Sequence, residues 1–179
     1  SRRTSIVIDP PDGRIPPLVA AARQRAQGPR GTFGASTFNG PEDLSLWERC
    51  ISRGLPGAIF PTVYNANTRI VQGPGFVAIT YEMIHDTRVI PLDGREHAGS
   101  AVRSYFGDSR GRWDGDTLVV ESAHFREIPG ARWADAWRAV RPSTRLVERF
   151  RRVDQHTSRA RSAGRLKEAA TIYTAHHSS

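Results

Sequence analysis

The 179 residues suit a single domain, and a hydrophobic content of 38% with four Trp and seven Phe supports a modest core. No run approaches the roughly 18 apolar residues of a membrane-crossing helix, so no membrane span is expected in this chain. The formal charge of +8 invites a nucleic-acid reading, but residues 1–125 carry 14 basic and 13 acidic side chains while residues 126–179 carry 12 and 5, so the basicity belongs to the last third and no nucleic-acid partner is expected.

In chain order, Thr4–Ile8 reads as an extended start, and Asp9-Pro10-Pro11-Asp12-Gly13 as a turn. Pro17 suits a first helical turn, and Leu18–Gln27 is rich enough in Ala and Arg for a short helix that Gly28-Pro29 ends. Residues 28–40 read as a loop. A second helix is expected from Pro41, with Glu42-Asp43 at the positive end of its dipole, Leu44, Trp47 and Ile51 at helical spacing and Gly54 closing it. Within it the lone Cys50 has no partner for an internal disulfide and reads as a small core residue. Residues 54–67 form an irregular connection.

Thr68 to Ser122 holds the strongest signals. Thr68–Gln72, Phe76–Met83 and Arg88–Leu92 are rich in β-branched and aromatic residues, as strands are. Gly73-Pro74-Gly75 should reverse the chain, because Pro fixes φ and Gly accepts positive φ. In the second run Val77, Ile79, Tyr81 and Met83 share an apolar face that should meet the core. Asp93-Gly94 is a hairpin-type dipeptide, and Asp114-Gly115 between Arg112-Trp113 and Thr117–Glu121 predicts another. Trp133, Trp137 and Val140 then mark an amphipathic helical segment stopped by Pro142, and Arg145–Val153 alternates as a strand.

Residues 4–22, 48–97 and 106–154 resemble a widespread family of functionally uncharacterised bacterial proteins, many with export signals. The strings that carry the resemblance are TSIVIDPPDGRIPPL, ERCISRGLPG, YNANTRIVQGPGFVAITYEMIHDTRVIPLDGREH, GDSRGRWDGDTLVVE and RLVERFRRVD. The resemblance supplies no reaction and no catalytic residues. It implies an extracytoplasmic, periplasmic or secreted location, although the first residues show no signal-peptide pattern and the chain reads as a mature form or a fragment. It stops near Asp154, where relatives continue with strand-like sequence. Residues 155–179 therefore read as a divergent or disordered tail, with the closing strands missing and no functional content in its charge. Residues 1–154 read as one β-rich domain.

Two motif matches are rejected. Gly107-Asp108-Ser109-Arg110-Gly111 fits G-x-S-x-G, but a nucleophile elbow needs a helix after it and a hairpin follows here. Gly73-Pro74-Gly75 precedes a strand, so no helix N-terminus awaits a pyrophosphate. His85, His97 and His124 lie among many carboxylates without a diagnostic metal spacing, so no metal site is assigned. The sharpest polar cluster is His85-Asp86 with Arg88 and Asp93 to His97. Its arginines suit a carboxylate or phosphate, but structural ion pairing ranks first, because such networks often imitate sites.

The fold expected is mainly β, an antiparallel meander forming a curved sheet or partly closed barrel with two or three short peripheral helices. The function expected is binding of a small molecule in the sheet's concavity, with Arg88, Arg95, His97 and Tyr81 as ligand contacts. One alternative is a hydrolase or isomerase using His85 with Asp86 or Glu82 as acid and base. Another is an interaction module. Ligand, cofactor and oligomeric state stay open.

Overall fold

The structure is a computed structural model. It describes residues 7–9, 12, 39–41, 44, 46–55, 57–59, 67–126, 142–152, 157–166 and 169–178, with 7–9, 157–166 and 169–178 described by their backbone. The chain is mainly antiparallel β. Its strands are β1 (Val7–Asp9), β2 (Thr68–Gly73), β3 (Phe76–Tyr81), β4 (Thr87–Pro91), β5 (Asp108–Asp114), β6 (Thr117–Ala123), β7 (Arg145–Arg152), β8 (Thr157–Leu166) and β9 (Ala169–Ser178).

Two three-stranded units form the centre. The first is β2-β3-β4 and the second β5-β6-β7, which β8, β9 and β1 extend beyond β7. The turns follow the expected chemistry. Pro74-Gly75 joins Gly73 to its partner Phe76 with Gly75 at φ +75°, and Gly115-Asp116 joins Asp114 to its partner Thr117 with Gly115 at φ +59°. Asp93-Gly94 does turn, with the Arg95 N–H donating to Asp93 Oδ1, but it makes no hairpin. The chain leaves β4 there and next pairs as β5 in the other sheet, so that expectation is corrected.

The sheets face each other and, among the described residues, do not close into a barrel. Alternation along β3 sends Val77, Ile79 and Tyr81 inward, as expected, to meet Ile90 of β4 and Leu118 and Val120 of β6. Leu92, Phe106 and Phe150 pack around this cluster, and Leu55, Phe125 and Leu146 form a second one beside it. Burying each such side chain contributes on the order of 2 kcal/mol. The layers approach closely at Gly111 of β5. A Cβ there would lie 2.6 Å from Leu92 Cδ2 and 2.9 Å from Ile90 Cγ2.

The peripheral helices are corrected where they can be seen. In the segment from Pro41 to Ile51 the bonds run from Leu44 N–H to Pro41 O, Cys50 N–H to Trp47 O and Ile51 N–H to Leu46 O. These are turns of mixed span rather than an α-helical ladder. Cys50, at φ 54°, bends the chain where a helix would continue, and it is exposed rather than in the core. The expected helices at 18–27 and 132–141 lie outside the described residues. One turn of 3-10 helix, Met83–His85, links β3 to β4. Beyond Asp154 the described backbone runs as two further strands. β8 pairs with β7 along its length, from Arg145 opposite Arg165 to Arg152 opposite Ser158, and β9 pairs with β8.

Filling the gap at Gly111 tests this packing. Gly111→Val should destabilise the fold by about 1–3 kcal/mol, read as a lower urea midpoint with an unchanged m-value. A variant as stable as the parent would mean that the layers are not in contact there.

Candidate functional site

The residues expected to act as acid and base are not brought together. Glu82 Oε2 accepts from the Asn67 backbone N–H at 3.2 Å and from Asn67 Nδ2 at 2.7 Å, tying β3 to the start of β2. Asp86 Oδ2 accepts from Ser52 Oγ and from the Arg53 N–H, each at 3.1 Å. Both carboxylates therefore brace loops. His85 lies exposed on the tight turn between the strands, and neither carboxylate bonds its ring. Ile84 and His85 both have positive φ, 63° and 48°, a geometry that the Tyr81 N–H to Asp86 O bond at 2.8 Å closes.

The expected ligand contacts separate into three places. Arg95 is exposed and bonds Asp93 through Nε at 2.6 Å. Arg88 of β4 points between the sheets and grips Glu148 of β7, Nη1 to Oε2 at 2.6 Å and Nη2 to Oε1 at 2.7 Å, with side chains 3% and 1% exposed. Tyr81 stands beside the pair, its ring centroid 6.0 Å from the guanidinium carbon. Burial works against the charge on Arg88, but the Glu148 carboxylate and Tyr81 hold its pKa above the ordinary range, so it stays cationic. Burial pushes the Tyr81 hydroxyl up, against the pull of Arg88, so it stays neutral. This trio is an interior brace.

His97 is the third place, and it has partners. Its Nδ1 lies 2.9 Å from Asp108 Oδ2, which also accepts from the Ala98 N–H at 2.9 Å. Arg110 Nη2 stands 3.2 Å from Asp108 Oδ1, and Arg110 Nε donates to Glu96 O at 3.1 Å. The His124 ring meets the His97 ring edge-on, with centroids 5.7 Å apart. His124 Nδ1 is buried and has no hydrogen-bond partner among the described residues. Burial raises the Asp108 pKa, but the Ala98 N–H, His97 and Arg110 outweigh it and hold the carboxyl below the usual range. The cluster lies at β5, an edge strand, where the loop from Asp93 to Gly107 folds back against the sheet.

With Nδ1 facing a carboxylate, the outer nitrogen of His97 is left as a hydrogen-bonding or proton-accepting group. Among the described residues no group of three His, Cys, Asp or Glu is placed to hold a metal. The rejected serine motif is explained: Ser109 Oγ, buried, shares a 2.8 Å hydrogen bond with Ser122 Oγ, and its neighbour Asp108 is what joins the cluster. Sequence reasoning named His97 as a ligand contact and grouped His124 with His85 and His97 among many carboxylates, but it did not join His97 to Asp108, Arg110 and His124 as one set. Nothing in the spacing of three histidines among many carboxylates selects this set.

Comparison with family models, curated proteins and solved structures finds no match to this chain.

Two predictions follow from these geometries. Glu148→Leu should cost about 3–5 kcal/mol by leaving the buried Arg88 cation alone, and Arg88→Met with Glu148→Leu should recover most of that loss in urea unfolding. A double variant as unstable as the single would show that the charge was not the source. Asp108 has a depressed folded pKa, so its contribution to stability is complete above the unfolded-chain value of about 3.9 and is lost as pH falls through the lower folded value. The stability gap between the parent and Asp108→Asn should therefore narrow on acidification, and a gap constant to pH 2 would contradict the pairing.

Proposed function

We propose that the protein binds a small polar molecule at the His97–Asp108–Arg110–His124 cluster, outside the cytoplasm as the family resemblance implies. The observation that carries this is His124 Nδ1, buried without a partner beside an imidazole that Asp108 orients. A buried polar atom left unpaired costs about 1–3 kcal/mol, and a ligand that pairs with it recovers that cost. Between the sheets, core side chains from both layers pack against one another. Binding is thus better supported at the β5 rim than in a concavity, and His97 is the contact retained from the sequence reading.

A second reading keeps the same residues. A carboxylate on Nδ1 makes the outer nitrogen of His97 a competent general base, so acid–base chemistry belongs at His97 in preference to His85.

The test is a thermal-shift screen with sugars, nucleosides and small carboxylic acids. A compound present at about 100-fold over its Kd should raise Tm by about 5 °C or more. The shift should disappear in His97→Ala and His124→Ala and persist in His85→Ala. A hit indifferent to His97 and His124 would overturn the assignment, and turnover of the hit that Asp108→Asn abolishes would favour the second reading.

A further inference from the structure

Strand β2 forms one edge of its sheet and, among the described residues, pairs with β3 alone. The phase of its hydrogen bonds is set at the end of the ladder. The Glu82 N–H donates to Asn67 O at 2.9 Å, while on the other side of β3 the Tyr81 N–H donates to Asp86 O at 2.8 Å. Bonded pairs alternate along an antiparallel ladder, so Asn67, Arg69, Val71 and Gly73 turn their backbone polar groups to β3. Thr68, Ile70 and Gln72 therefore turn theirs to the outer edge. The side chains of the strand are open too. Ile70 lies on the core side, opposite Ile79, yet is 40% exposed, and Val71 on the outer side is 43% exposed. Their neighbours Arg69 and Gln72 are also exposed.

Such an edge is a template for another strand, and proteins ordinarily blunt it with proline, lysine, an inward charge or a bulge. Strand β2 carries none of these. Its residues are TRIVQG, its register with β3 is unbroken, and its single charge, Arg69, lies on the outer side. We propose that β2 pairs antiparallel with β2 of a second copy of this chain, about a two-fold axis between the two Ile70 residues, joining the two three-stranded sheets edge to edge. The seam is separate from the His97 cluster, which lies at β5 in the other sheet.

The strand matches itself in one register. A continuous sheet sets residues of the same face opposite each other. With Ile70 opposite its counterpart, Thr68 meets Gln72 of the second copy, and each of these facing pairs exchanges both of its backbone bonds. All three outward-turned residues of each copy are then satisfied. On the outer side Arg69 stands opposite Val71 of the second copy and lays its methylene stem over it. Sliding one strand by two residues in one direction sets Arg69 against Arg69, a direct like-charge pair. Sliding it the other way sets Thr68 against Pro74, which has no N–H to give. This matching of charge and donors selects a second copy over an unrelated strand. A seam of six residues a side is small beside the roughly 1,200 Å² of a standard interface, so the dimer is weak and forms at high concentration.

The test is sedimentation velocity on the full chain at about 1–500 μM. The parent should pass from monomer to dimer without larger species, because a two-fold seam closes on itself. Ile70→Pro removes an N–H that β3 does not use, a place where an edge strand tolerates proline, and should weaken the dimer about tenfold or more. Ile70→Lys sets two like charges against each other at the axis and should weaken it as much. Its Tm at low concentration should stay close to that of the parent, which keeps loss of pairing distinct from loss of fold. Val89→Lys, the same charge change at the exposed centre of β4 on the opposite edge of the sheet, should leave the dimer unchanged. A chain monomeric throughout, a dimer indifferent to both Ile70 variants, a larger loss from Val89→Lys, or growth into open-ended oligomers would each overturn the proposal. So would a monomeric chain that binds an unrelated extended peptide rich in valine and threonine in an Ile70-dependent way, because the edge would then belong to a foreign strand.

Discussion

The two sheets are joined by an ion pair in a place where charge is costly. Arg88 and Glu148 come from different sheets, are almost wholly buried, and meet through two short parallel hydrogen bonds. Their attraction offsets desolvation only because the geometry satisfies both oxygens of the carboxylate and both terminal nitrogens of the guanidinium. The rest of the packing answers to that constraint. A one-residue slip of β4 would turn Arg88 to solvent, bring Val89 into the core and leave Glu148 buried without its cation. Val89 is now 59% exposed and its neighbours Arg88 and Ile90 are buried, so the register is visible in burial as well as in hydrogen bonding.

Much of the central fold was legible because period-two patterning and turn chemistry agreed. Phe76 to Tyr81 alternates between faces, Pro74-Gly75 and Gly115-Asp116 supply the turns, and the strands occur where those signals meet. The ion pair left a trace that was only half read. Arg88 is in phase with Ile90, and Glu148 is in phase with Leu146 and Phe150, so each strand places one charge on its apolar face. Two such charges of opposite sign ask to be paired with each other. The sequence reading instead grouped Arg88 with charges close in the chain, His85-Asp86 and Asp93 to His97, because local neighbours are the ones a single sequence displays.

The remaining misreadings have the same root in contacts distant along the chain. Asp93-Gly94 carries hairpin chemistry, but the segment after it crosses to the other layer and pairs there as β5, which leaves β4 an edge strand among the described residues. The helix expected from Pro41 to Ile51 had the right spacing, but Asp86 holds Ser52 and Arg53 from 33 or more residues away, and the chain turns at Cys50 to meet it. Strand β8 does alternate, with Arg159, Arg161, Ala163 and Arg165 against Ser158, Ala160, Ser162 and Gly164. Its alternation is written in arginine and small residues, which hydrophobic patterning does not register.

Strand β7 shows why the inside and outside of the sheet cannot be set independently. A single alternation places Glu148 inward to meet Arg88 and, by the same pleat, places Arg149 and Arg151 outward. Once the buried pair fixes the register, those outer charges are fixed too. A one-residue slip in β7 would remove Glu148 from Arg88 and carry Arg149 toward the core in its place. The energy that locks the interior therefore also decides which charges of β7 face outward.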